Sequence, residues 1–185
     1  METKYYTKFD YELLDKKIVY KGKRINVEEL HYRNPRTNQI IYREHVLAGR
    51  AVIIPQNENN EFIMIKEPRT SIEKTVISFP AGKVEIGEKE EQSAIRELEE
   101  ETAYKARKIK KLREFYTAKG YSNEKITIFL AKDLIKTERH LDETEDIEVI
   151  KVPIEEAKKM LDRGEITTSS EEIGLLHYFL YENKE

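Results

Sequence analysis

The stretch Gly82–Tyr104, GKVEIGEKEEQSAIRELEEETAY, carries eight glutamates against three basic residues, in a chain whose formal net charge is −3. About five negative charges therefore sit in one short segment. Like charges one helical turn apart repel by about 0.2–0.5 kcal/mol per pair, so the crowding needs a purpose. From Glu88 onward Ala94, Ile95, Leu98 and Thr102 recur at helical spacing and make a narrow apolar face. Ahead of them, TVISFPAG is a short strand ending at Pro80, followed by a loop containing Gly82 and Gly87. The stretch thus predicts strand, glycine loop, helix. At about 100° per residue, Glu97, Glu100 and Glu101 fall within roughly a third of the helix circumference while Ala94 and Leu98 turn to the core.

Three carboxylates on one face suit a hard divalent cation. Mg²⁺ or Mn²⁺ takes oxygen ligands, keeps several waters and shares its remaining positions with substrate phosphates. Arg96 and Glu100 form an i, i+4 pair on the flank of that face, able to hold a carboxylate in place. Taken alone, such a run is more often a solvated helix face. The glycines shift the balance, because a loop that brings backbone close to a metal or phosphate needs residues without a Cβ or free to adopt positive φ.

The rest of the chain is consistent with a single catalytic domain and a small appendage. At 185 residues, with 38% hydrophobic and 37% charged residues, it has enough apolar material for a core, in runs such as AVIIP, FIMI and ITIFL. The absence of cysteine excludes disulfides, thiolate catalysis and Cys-type metal sites. Four scattered histidines, His31, His45, His140 and His177, form no HxxxH pair, so oxygen ligands must hold any metal. No apolar run is long enough to span a membrane, and METKYYTKFDYELLDKK lacks the apolar region of a signal peptide, so a cytoplasmic protein is expected. A pI near 6.0 argues against a nucleic-acid partner.

Residues 11–32 read as two or three strands, RNPRTNQ as a turn and IIYREHVL as a further strand, together an antiparallel unit over residues 1–47. RAVIIP and FIMIKEPR, separated by QNENNE, read as a hairpin. KKLREFYTA, KITIFLAKDL and IEVIKVP follow as strands, with the acidic loop KTERHLDETED between the last two. Pro153 is placed to open a helix that stops at Gly164, and Ser169 with Glu172 matches a capping box for a final helix. Strands outnumber helices and do not alternate regularly with them. The expected fold is therefore α/β: an α/β/α sandwich with a mixed sheet over residues 48–185, preceded by the small β unit.

The central stretch resembles the Nudix box, G-x5-E-x7-R-E-U-x-E-E-x-G-U. Gly82, Glu88, Arg96, Glu97, Leu98, Glu100 and Glu101 match at the right spacing, while Ala103 replaces the box glycine and Tyr104 the usual aliphatic residue. Ala103 would be accommodated by a helix that runs on a little further. The resemblance implies hydrolysis of a nucleoside diphosphate linked to another moiety, with Mg²⁺ or Mn²⁺ as cofactor. It implies Glu97, Glu100 and Glu101 as metal ligands, Glu88 as their support, and the carbonyl of Ala81 as a further ligand.

Beyond the box, REHVLAGRAVIIP, FIMIKEPR, FPAGKVEIGE and DIEVIKVPIEEAKKMLDRGEI look like the ADP-ribose pyrophosphatase group of that family over nearly the whole chain. That resemblance implies a homodimer with swapped N-terminal strands that help build the adenosine pocket. It puts Arg43 near the adenine and Arg69 on the pyrophosphate, and assigns the attacking water to Glu143 first and Glu145 second, on the loop HLDETEDIEV. Three departures bear on the substrate: Lys119 where the group has a proline, Ser78 where a glutamate commonly precedes PAG, and Lys23 where some members carry an aromatic. The expected substrate is ADP-ribose or a related nucleoside diphosphate sugar. The alternatives are another nucleoside diphosphate compound (a dinucleotide, another sugar, a flavin or nicotinamide cofactor) or a sensor that binds ADP-ribose without cleaving it.

Overall fold

The computed structural model describes residues 9–23, 25–85, 87–141 and 144–183. The chain divides into two compact units, Met1–Ala48 with Ala118–Glu124, and Gly49–Thr117 with Lys125–Glu185. In the first, β1 (Glu12–Lys21), β2 (Asn26–Arg33) and β3 (Ile40–Leu47) form an antiparallel sheet in the order β1-β2-β3. The RNPRTNQ turn joins β2 to β3. The Asn34 side chain accepts from the Arg36 N–H at 2.9 Å, and Asn38 takes φ 55°, the roles asparagine fills in turns.

The second unit contains β4 (Gly49–Pro55), β5 (Glu61–Arg69), β6 (Lys74–Ser78), β7 (Ala81–Lys83), α1 (Glu90–Thr102), β8 (Tyr104–Tyr116), β9 (Lys125–Lys136), β10 (Glu148–Pro153), α2 (Ile154–Asp162) and α3 (Ser169–His177), followed by a π-helical turn over Tyr178–Glu182. Two sheets result, β7-β4-β9-β8 and β10-β5-β6. The β4–β9 pair is parallel and the remainder antiparallel, so the larger sheet is mixed. Among the described residues no helix is long and apolar enough to cross a membrane.

The period of two along β4 and β9 assigns the layers. Ala51 and Ile53 of β4 with Phe129 and Ala131 of β9 meet Ala94 and Leu98 of α1. Val52 and Ile54 with Ile126, Ile128 and Leu130 face the other way, onto Phe62, Met64, Phe79, Leu175 and Tyr178. Alternate residues of a strand lie on opposite faces, and both faces here are covered. Each aliphatic side chain so buried contributes about 1.5–3 kcal/mol.

Four local expectations need correction. The β4 and β5 runs do not form a hairpin ladder: both edges of β4 are taken by β7 and β9, so β5 pairs with β6 and β10, and a lone Gln56–Phe62 bridge joins the two runs. Pro153, expected in the first turn of the helix it opens, stands one position ahead of that turn as the N-cap of α2. The cap of α3 is Thr168, one residue earlier than expected. The buried Glu171, not Glu172, accepts from the hydroxyls of Thr168 and Ser170.

The fourth concerns Ala103. α1 does not run on past the box; it stops at Thr102, and Ala103 adopts φ 59°, ψ 31° with its N–H on the Glu99 carbonyl. This left-handed turn is the conformation glycine supplies without a Cβ penalty. Alanine takes it because β8 begins at once at Tyr104 and leaves no room for another helical turn.

Candidate active site

The two glycines of the central stretch serve different needs. Gly87 sits at φ +86°, the left-handed region. Gly82 is needed for space: a Cβ there would fall 1.8 Å from Cδ of Glu97. The Glu97 carboxylate is thus pressed directly onto the backbone of β7. That contact joins loop to helix.

Arg96 organises the carboxylates around it. Its Nε and Nη2 donate to the two oxygens of Glu88 at 3.1 and 3.2 Å, a bidentate pair across the loop. Nη1 donates to Glu97 at 2.7 Å and Glu100 at 2.9 Å, and Nη2 also reaches the Lys83 carbonyl at 3.2 Å. The sequence suggested only the Arg96–Glu100 pair, because that alone is visible as an i, i+4 spacing. Three carboxylates around one guanidinium raise the Arg96 pKa further and keep it charged.

The same carboxylates divide by environment. Hydrogen bonding to Arg96 lowers the Glu88 pKa. Burial raises that of Glu97, and Arg96 offsets the rise only in part. Glu101 is 5% exposed and is pushed up to about 8, first by burial and then by Glu97, Glu67 and Glu145, against a hydrogen bond from the Ala81 N–H at 3.0 Å. Ala81 therefore uses its N–H on Glu101, while its carbonyl accepts from Arg50 Nη2 at 3.1 Å and retains a second lone pair.

The donor chemistry fits a hard divalent cation. Glu101 is a desolvated carboxylate with no cationic side chain paired to it among the described residues, crowded by other acids and seated against a strand that glycine keeps open. Among the described residues no three acidic or histidine side chains yet converge as a chelate, because Arg96 draws oxygens of Glu97 and Glu100 onto itself. Both would have to rotate away from it to bind an ion.

Arg69 at the end of β5 is half-buried and donates to Glu67, whose Oε1 also accepts from the Ser78 hydroxyl at 2.7 Å. Glu67, 7% exposed, was missed by the sequence reading. Its position two residues before Arg69 on a strand, hence on the same face, could have found it. Ser78 thus binds a carboxylate of the neighbouring strand at the position where a carboxylate was expected. Glu145 is exposed, yet near enough to Glu97 and Glu101 to raise both. Glu143 lies outside the described residues. In the first unit, Arg43 is exposed on β3 with Nη1 on its neighbour's carbonyl, Tyr42 O, at 2.7 Å; Lys23 and Lys119 are exposed.

Comparison with known proteins agrees with this geometry. The NUDIX domain profile matches residues 46–170. The chain is 36% identical over 155 residues to an ADP-ribose pyrophosphatase of Bacillus subtilis, covering 82% of this chain and 83% of that one. It is 29% identical over 178 residues to a methanol dehydrogenase activator of Bacillus methanolicus, covering 94% and 95%. An ADP compounds hydrolase of known crystal structure shares the fold at TM-score 0.80 with 20% identity, over 95% of this chain and 96% of that one. With the box residues matched and the domain profile spanning most of the chain, the protein belongs to the NUDIX domain family and is a Nudix hydrolase.

Proposed function

We propose that the chain hydrolyses the pyrophosphate of ADP-ribose, or of a related nucleoside diphosphate sugar, to a nucleoside monophosphate and a sugar phosphate. The observation that carries this is the desolvated pair Glu97 and Glu101 against β7, Glu97 on the Gly82 backbone and Glu101 on the Ala81 N–H. The 36% identity to an ADP-ribose pyrophosphatase supports the substrate class. Mg²⁺ or Mn²⁺, held by Glu97, Glu100 and Glu101 with Glu88 in support and the Ala81 carbonyl as a further oxygen donor, would polarise the pyrophosphate and neutralise its developing charge.

The chain's own residues supply the rest. Arg96 holds Glu88, Glu97 and Glu100 together, and with a divalent cation bound Glu97 and Glu100 would turn their oxygens from it to the ion. Arg69, oriented by Glu67, binds a phosphate with its planar fork. Glu143 or Glu145, both in the acidic stretch HLDETEDIEV, takes the proton of the attacking water as its oxygen bonds to phosphorus. The P–O bond to the leaving phosphate then breaks, and that phosphate departs with the electron pair.

The first unit would serve the second copy in a homodimer, with Arg43 directed to the adenine. Every residue of β1 is exposed, including Leu13, Ile18, Val19 and Tyr20. Apolar side chains left exposed on both faces of a strand suit an interaction surface. Removing residues 1–45 should abolish dimerisation in sedimentation, and a truncated protein that still dimerises would refute the swap. A cytoplasmic setting fits a chain without cysteine.

Lys119, standing where the group has a proline, keeps a second reading open in which the leaving moiety is a dinucleotide, another sugar, or a flavin or nicotinamide cofactor. Product release from a panel of these compounds with Mg²⁺ decides between them, comparing wild type with Glu101→Gln. Turnover of ADP-ribose above the rest supports the first reading. Binding of ADP-ribose with no turnover of any compound would make the chain a sensor.

A further inference from the structure

α1 ends against the grain of its own dipole. The carbonyl end of a helix favours cations, yet the last turn of α1 holds Glu99, Glu100 and Glu101 and no basic residue. The missing cation comes from the chain just past β9. Arg139 Nε donates to the carbonyl of Glu101 at 2.7 Å, and its Nη2 donates to the carbonyl of Ile147, also at 2.7 Å. Two backbone bonds flank it, Thr137 N–H to Ala103 O at 2.9 Å and His140 N–H to Glu100 O at 3.2 Å.

One guanidinium therefore links three parts of the fold. It binds the backbone of a box glutamate, it starts the acidic loop after β9, and it holds that loop's far end at the buried Ile147. Glu145 lies two residues before this anchor, and the same guanidinium ties that anchor to the carbonyl of Glu101. Lysine could supply the charge but not two fixed, divergent N–H bonds.

We propose that Arg139 is a positioning residue for hydrolysis, spanning the C-terminus of the carboxylate helix and the backbone at Ile147 so as to fix where Glu145 stands relative to Glu97 and Glu101. This rests on the assignment of Glu145 to the attacking water. Arg139 touches no reacting atom; it acts through Glu145.

A double-mutant cycle on the full-length protein with Mg²⁺ and ADP-ribose tests it, using Arg139→Met, Arg139→Lys, Glu145→Gln and the Arg139→Met/Glu145→Gln pair, at a temperature where circular dichroism shows each variant folded. Arg139→Met should lower kcat about tenfold or more with KM within about twofold, since positioning losses of this kind run to about 10–100-fold. Arg139→Lys should recover only part of the loss. In the Glu145→Gln background Arg139→Met should have little further effect. An equal loss in both backgrounds, or an unchanged kcat in the single variant, overturns the inference while leaving the Glu145 assignment intact. Wild-type kcat in Glu145→Gln overturns that assignment and the inference together, and leaves the roles of Glu97 and Glu101 standing.

Discussion

The loop side of the box and the C-terminal end of its helix treat the same residue type in opposite ways. At Glu88 the carboxylate is gripped on both oxygens by Arg96 and its pKa falls. At Glu101 the carboxylate is buried, has one backbone N–H for a partner, and is pushed up to about 8. A carboxylate paired on both oxygens has less to gain from a cation than a buried one with no charged partner among the described residues. The contrast is the ground for proposing Glu88 as a supporting acid and Glu101 as a binding one.

Removing the strained acid should give the largest effect. Glu101→Gln is expected to lower kcat more than about 100-fold, beyond what loss of an outer partner costs, while the metal-free protein melts at the same temperature or higher. A fall of many degrees in the metal-free melting temperature would mean that Glu101 holds the fold together. Arg69→Ala should come next, raising KM about tenfold, in line with the roughly 1.5–3 kcal/mol typical of a hydrogen bond to a charged group. Glu67→Ala should raise KM by a smaller factor, because it loosens Arg69 without removing it. Unchanged KM in Arg69→Ala would argue against a phosphate role.

The pH dependence of stability sharpens the contrast further. The folded-state pKa of Glu101, about 8, lies above its unfolded value of 4.5. Between those values the native state holds a proton that the unfolded chain has released, so stability falls as pH rises through this window. Glu97 shifts in the same direction and adds to the fall. Glu88, Glu90 and Glu114 shift downward, and their contribution is lost only as pH falls below the ordinary carboxylate range. Melting temperatures measured with a chelator should therefore decline from about pH 5 to about pH 8 in the wild type, and much less in Glu101→Gln. A flat wild-type profile would contradict the burial of Glu101.

The smallest effect expected is at Ala103. Glycine there should stabilise the protein by about 1 kcal/mol by relieving the left-handed turn, with kcat unchanged, as read from denaturant midpoints. Loss of stability would show that the alanine methyl packs usefully.

The helix, its loop and the three-carboxylate face were legible because helical periodicity and glycine placement are local properties. The Arg96–Glu88 pair, eight residues apart, was not: it depends on how the loop folds back onto the helix. The β4–β5 hairpin failed for a related reason. A short polar loop between two apolar runs says nothing about which other strands, here β7 and β9, already occupy both edges of the first. Glu67 and Arg139 escaped notice because their partners, Ser78 with Arg69 and Glu101 with Ile147, are set largely by tertiary packing, and Ala103 because a helix end depends on where the next strand must start.

The most direct test of the central claim, that burial at Glu101 prepares a cation site, is a Mn²⁺ titration of the metal-free protein followed by melting temperature. Binding to the native state alone raises stability with free metal concentration. The wild type should show a rise that saturates and Glu101→Gln should show little or none. Equal rises in the two proteins would contradict the account.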